Sequence, residues 1–318
     1  MTSIFGSENV VIEQITESAL KAYLVGFDID DKGQKKYRWR NLVNILQDAL
    51  TEFAFGYHEG EVVHISQSTR LLYEAASAVY KIDEFVETKK IYVDEDSFIE
   101  DDDIDKKYLK RGEFGELILH LLLRDYHNTI PLLSKIYFKD SYGVPVHGFD
   151  AVHIEPNSKT LWLGESKLYI DGKKGIEALI GDIKEHFKHD YLNQEFTLIS
   201  KKIKHMSGDT IPEKQHWINL MDRNKALKEV FSSINIPLIC TYSSNLFYEY
   251  DDETDPEFIA FFEDEIRNLV NHFNLKNDHP LKSHLNIILL LFPVQCKNTL
   301  IRRMHKKLYT LQGIYDDE

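Results

Sequence analysis

Residues 148–169 read GFDAVHIEPNSKTLWLGESKLY. The flanks are apolar and the middle, EPNSK, is turn-forming, so the segment predicts two antiparallel strands folded back at Asn157 and Ser158. A turn centred there sets Asp150 directly across from Glu165. Like charges so placed, with β-carbons roughly 4.5 to 5.5 Å apart, repel unless something positive lies between them. Lys167 is two residues beyond Glu165 and projects from the same face of its strand. Leu161, Leu163 and Tyr169 share that parity, so the face is not simply a wet one. A hard divalent cation answers the charge problem: Mg²⁺ usually takes one or two carboxylates, keeps several waters and borrows phosphate oxygens from a substrate. Asp150, Glu165 and the carbonyl of Ser166 are the expected ligands, with Mn²⁺ as the alternative ion. A metal-bound water attacks better than bulk water, and Lys167 can position it or offset charge in the transition state. The reaction implied is phosphodiester hydrolysis. An acid-x-lysine triplet alone carries little, since it recurs at Asp30, Glu87 and Asp182; only Glu165 to Lys167 lies in a strand whose hairpin partner brings an aspartate opposite.

Working outward, RGEFGELILHLLLRDYH predicts an apolar-rich helix before the hairpin and LLSKIYFKD a strand between them. GKKGIEALIGDIKEHFKHD predicts a helix after it, with Ile176, Leu179, Ile180, Ile183 and Phe187 on one face. A basic, polar insertion follows. INIPLICTYS then reads as a buried strand and DPEFIAFFEDEIRNLVNHF as a helix opened by Asp255, with Pro256 in its first turn. HLNIILLLFPV is a further buried strand and NTLIRRMHKKLYTL a closing helix. This order builds an α/β unit, a mixed central sheet flanked by helices, over residues 106–318. Residues 1–105 read as an N-terminal α+β extension that could pack by itself, with helices in YRWRNLVNILQDALTEFAFGY and STRLLYEAASAVYKI. It ends in DEDSFIEDDDID, Asp94 to Asp105, whose eight acids and no base mark a linker.

The chain has 318 residues, 43% of them hydrophobic, enough for a large core. No apolar run approaches the roughly 20 residues of a membrane span, and the first residues lack an export pattern, so a cytoplasmic protein is expected. Cys240 and Cys296 read as buried free thiols. The net charge of −14 argues against a surface built throughout for nucleic acid, though not against a local basic groove. Bases gather in DKKYLKR, in KHDYLNQEFTLISKKIKH and in IRRMHKKL. Lys173, Lys174, Lys184 and Lys188 follow the hairpin and are candidates for phosphate contacts. His186 and His189, three apart, read as a solvated helix end, and His147 and His153 as bystanders flanking Asp150.

A helix bearing a glutamate, then a strand, then GFD and GESK in successive strands, then a helix, resembles the PD-(D/E)xK nuclease superfamily. That resemblance implies a metal-assisting glutamate on the first helix after a basic residue and a glycine. RGEFGELILHLL supplies Arg111, Gly112, Glu113 and Glu116; the spacing favours Glu116, with Glu113 one turn earlier as second choice. Phe149 stands where the superfamily often has proline. Over most of the chain, RGEFGE, VHGFDAVH and LWLGESKLY look like the HamA family, the nuclease subunits of Hachiman antiphage systems. The likeness implies a HamB-like helicase partner docked by the N-terminal region, and a defensive DNA endonuclease with little sequence preference, since no base-reading motif is seen. The competing expectation is a catalytically inert adaptor that keeps the fold to bind nucleic acid or the helicase.

Overall fold

The computed structural model describes residues 3–56, 67–79, 112–133, 148–205, 211–222 and 226–313. Among these, a seven-stranded sheet runs in the order β1-β2-β9-β8-β7-β6-β5. Its members are β1 (Val11–Thr16), β2 (Leu20–Val25), β5 (Ile130–Leu133), β6 (Ala151–Glu155), β7 (Thr160–Leu168), β8 (Ile234–Ser243) and β9 (Asn286–Val294). The centre, β2 to β7, is parallel through β9 and β8, and both margins are antiparallel. A two-stranded ribbon pairs β3 (Phe27–Ile29) with β4 (Lys35–Tyr37). The parallel strands carry near-continuous apolar runs because helices cover both faces.

On one face lie α1 (Trp39–Phe55), α2 (Ser68–Val79), α3 (Gly112–His127) and α10 (Lys297–Gln312), packed on one another and on the sheet. On the other lie α4 (Gly172–His186) and α9 (Pro256–Lys276). The polar insertion after α4 is helical too, as α5 (His189–His205), α6 (Lys214–Leu220) and α7 (Leu227–Phe231); the short α8 (Leu246–Glu249) precedes α9. In α5, Leu192, Phe196, Ile199 and Ile203 are buried at helical spacing, an apolar stripe overlooked among its lysines. Asp255 caps α9, its carboxylate accepting from the Glu257 and Phe258 amides, with Pro256 at the first position.

Two expectations change. The N-terminal elements do not pack as a unit of their own: β2 pairs in parallel with β9, more than two hundred residues away, and α1 packs on α3. Their apolar faces are completed by the rest of the chain. The strand expected in LLSKIYFKD starts earlier, at Ile130, and residues 134–147, which include His147, lie outside the described residues. So do the acidic stretch 94–105 and Arg111.

Candidate active site

The hairpin has the expected register. Ala151 pairs with Gly164, Val152 with Leu163 and Glu155 with Thr160, so Asp150 stands one step beyond the last pair, opposite Glu165. It does not continue the ladder. Its Oδ2 instead accepts from the Ser166 amide at 2.8 Å, fixing the carboxyl at the strand's end. The amides of Leu161 and Tyr169 donate to β8-side carbonyls, of Ser233 and Thr241, both at 2.9 Å. Backbone groups of a strand alternate sides, so the Ser166 carbonyl points the other way, toward Asp150 and beyond the end of β6.

Side chains of β7 divide by parity. Ser166 and Gly164 meet α3, where a β-carbon on Gly115 would lie 2.6 Å from the Ser166 hydroxyl. Glu165 and Lys167 meet α4. The Lys167 ammonium is ion-paired to Asp182, and Glu165 Oε1 is bonded to His186 Nδ1. Asp182 and His186 are four apart on α4, a row bordering its buried stripe of Ile176, Leu179, Ile180 and Ile183. His186 is thus no solvated helix end. Its ring stacks on Tyr191 at 4.5 Å between centroids and meets Phe149 edge-on. Glu195, one turn beyond Tyr191 on α5, completes the neighbourhood and is only 5% exposed. Sequence reading missed Asp182, His186 and Glu195; the signal was there in polar residues at helical spacing beside an apolar stripe. His189 remains exposed, and His153 is a core residue, its Nδ1 2.8 Å from Thr129 Oγ1.

The electrostatics are those of too many acids in too little water. Burial, then the charges of Glu116 and Glu165, push the Asp150 carboxyl far above the usual range. Burial and Asp182, with Glu116 and Glu195 adding, do the same to Glu165, which is 2% exposed. Glu195 is raised by burial to about 7. Burial alone lowers the Lys167 ammonium, but Asp182, Asp150 and Glu165 together raise it above its ordinary value. His186 is lowered, chiefly by burial. Lys167 is thus the ammonium that acts on Asp150 and Glu165, while Lys202 acts on Glu195. Glu116 is near enough to act on Asp150 and Glu165 from the first turns of α3; Glu113 takes no part in either shift.

The donors suit a hard cation. They are oxygens, and one of each pair on Asp150 and Glu165 has no hydrogen bond among the described residues. Among the described residues no three His, Cys, Asp or Glu side chains form a ready-made cage. An ion with few protein ligands and several waters fits better than one demanding full protein coordination.

Of the four lysines expected near phosphate, two are neutralised. Lys184 is ion-paired to Asp278, and Lys188 Nζ bonds Glu185 at 2.7 Å. Lys173 and Lys174 are exposed in the first turn of α4, their amides capped by Asp171.

A helix-flanked mixed α/β sheet, with a buried acidic cluster and one lysine where two neighbouring strands end, defines the class. The model of the HamA family matches residues 4–308, and the chain belongs to that family, a component of Hachiman antiphage defence. No curated protein and no solved structure matches it. Among the described residues no helix is long and apolar enough to cross a membrane.

Proposed function

We propose that this chain is a Mg²⁺-dependent DNA endonuclease of the PD-(D/E)xK type, with little sequence preference, acting as the effector of its defence system beside a HamB-like helicase subunit. The observation that carries the reading is the register that brings Asp150 to the Ser166 amide and opposite Glu165, with Lys167 on the next position of the same strand face. Asp150, Glu165 and the Ser166 carbonyl would hold the ion, with Glu116 assisting. Bound there, Mg²⁺ or Mn²⁺ supplies a water of lowered pKa and a positive charge for the phosphoryl oxygens.

The chain's own residues divide the remaining work. Lys167, kept charged by Asp182, is no proton acceptor; it neutralises and orients, holding the attacking oxygen or a phosphate oxygen. His186 fixes Glu165: when its Nδ1–H donates to the carboxylate, Nε2 is left as the basic nitrogen. A neutral imidazole backed by a carboxylate can take a proton from water at neutral pH. Lys173 and Lys174 approach the strand that is cut.

The test is plasmid DNA incubated with the protein and Mg²⁺, with and without EDTA, beside Glu165→Ala with Lys167→Ala. Nicking that needs Mg²⁺ and vanishes in the double variant is expected. Equal cutting by both proteins would remove the assignment, and no cutting by either would favour the inert adaptor.

A further inference from the structure

Away from the acidic cluster, a groove of about 360 Å³ opens between α1 and α10. From α1 it is lined by Arg40, Val43 and Asn44, and from α10 by Arg303, Lys306 and Lys307. Each set has helical spacing, so both walls present their cations to the same cleft. Val43, 6% exposed, lies beneath. In a chain of net charge −14 this gathering is not a general feature of the surface. It is also poorly compensated. Among the described residues none of these four cations is ion-paired to a carboxylate. Lys307 Nζ is 3.3 Å from the Asn44 amide oxygen, and the Arg303 guanidinium carbon is 5.8 Å from the Trp39 ring centroid. Asp48, exposed one turn beyond Asn44 on α1, acts on Lys307 without pairing with it among the described residues. Like charges three and four apart on a helix destabilise it, so four of them facing one cleft cost the free protein something that a bound anion returns.

We infer that this groove is a binding site for the phosphates of a nucleic-acid strand, separate from the acidic cluster and independent of base sequence. The polymeric ligand rests on the nuclease reading; the anion site rests on the four cations. Arginine forks suit phosphate oxygens bidentately, and long lysines supply point charges at variable reach. The groove has two basic walls and a small apolar floor, and offers nothing that reads base edges. Its position fits as well. On the inner side of α10 the His305 ring packs against Phe114 at 5.3 Å, and Phe114 is two residues from Glu116 on α3. One helix thus separates the groove from the start of the candidate active site. Two of the lysines nearer that site are already neutralised by acids, so the groove is the larger store of unpaired positive charge.

The test uses the full chain in EDTA, so that nothing is cut, and fluorescein-labelled duplexes of two unrelated sequences read by anisotropy from 50 to 200 mM salt. Arg303→Gln with Lys306→Gln and Lys307→Gln should weaken binding of both duplexes about tenfold or more near 0.1 M salt. The slope of log K against log salt should become shallower by about two to three. A charge-keeping variant, Arg303→Lys with Lys306→Arg and Lys307→Arg, should bind nearly as the native chain does, which excludes a folding defect. Unchanged affinity and slope in the glutamine variant overturns the inference. So does displacement of the duplex by ATP, or by polyglutamate, at equal charge concentration, since either assigns the groove to another anion. The two readings fail separately. Loss of duplex binding in the glutamine variant with no Mg²⁺-dependent cutting by the native chain leaves the groove and removes the nuclease. Cutting by the native chain with unchanged duplex binding in the variant does the reverse.

Discussion

Lys167 and Asp182 form the pair on which the site's division of labour depends. An ammonium held by a carboxylate keeps its proton, and its position is set by α4 and not by its own flexible stem. Asp182→Asn leaves that ammonium facing Asp150 and Glu165 alone, free to collapse onto them and compete with a cation. Cleavage should fall roughly 10- to 100-fold, the usual range for groups that orient a ligand from behind, while the midpoint of thermal unfolding barely moves; plasmid nicking and a melt on the same preparation check this. Asp150 and Glu165 give a prediction of opposite sense. A carboxyl whose folded pKa is raised favours the folded state below its ordinary range, near pH 4, and that contribution is lost as pH rises toward the folded value. In EDTA at neutral pH both groups therefore weigh against folding. Asp150→Asn should melt higher than the native chain, by about 2 °C or more; with the proposed Mg²⁺ site lost, it should neither cut nor gain melting temperature on addition of Mg²⁺. A native-like or lower melt would mean that the crowding is not real. Glu195 has the same sign with a narrower window. Raised to about 7 from 4.5, it costs stability progressively between those values, so Glu195→Gln should flatten the fall of melting temperature across that interval.

At the scale of elements, the site is a product of close approach between α3, β6, β7 and β8. Gly164 is where they meet. A β-carbon there would stand 2.9 Å from the Leu119 Cδ2, 3.2 Å from the Pro237 ring and 3.3 Å from the Ala151 β-carbon. Leu119 can swing away; a proline ring and a strand-borne β-carbon cannot. Gly164→Ala should therefore cost about 1 to 3 kcal/mol, as overpacked cores do, and shift the Asp150 to Ser166 contact one residue further on. Denaturant unfolding should report the first effect and Mg²⁺-dependent nicking the second. The elements also differ in how far they could be read beforehand. The hairpin register followed from local facts, a polar turn and alternating apolar positions, and local facts survive folding unchanged. So did the start of α9, where Asp255 and Pro256 sit side by side. The apolar stripe of α4 was visible too, yet what Asp182 and His186 would touch was not. A helical period tells which face is buried and nothing about the strand residue it is laid upon. α5 was hidden for the reverse reason: its lysines and polar groups outnumber the buried positions that make it a helix in context.

At the scale of the whole molecule, the sheet ties together segments that the sequence keeps apart. β2 lies beside β9, with Leu20, Lys21 and Ala22 matched to Leu289, Leu290 and Leu291. α1 covers α3, with the Phe53 ring edge-on to that of His120 at 5.7 Å. Glu52 of α1 is bonded by Arg124 of α3, Nε to Oε1 at 2.5 Å, where both side chains are largely buried. No local pattern announces a parallel pairing across most of a chain, which is why the N-terminal elements read as a unit of their own. The consequence is testable by deletion. Removing residues 1–105 uncovers the backbone edge of β9, where Leu289, Leu290 and Leu291 are almost wholly buried, and exposes the α3 surface under α1. It also takes the Glu52 carboxylate away from the buried Arg124 guanidinium, and removing one partner of a buried ion pair is destabilising, by about 3 to 5 kcal/mol. An open apolar edge recruits other chains. The truncated protein should then aggregate, or elute as a heterogeneous species lacking a cooperative melt, and not behave as a free-standing nuclease. A soluble monomer of residues 106–318 with a sharp transition would show that the N-terminal strands only decorate the sheet. In that outcome the region could be lent entirely to a partner. In the expected one, whatever docks on the N-terminal region pushes on the same body that holds Asp150 and Glu165, and binding there can reach the site through packing alone.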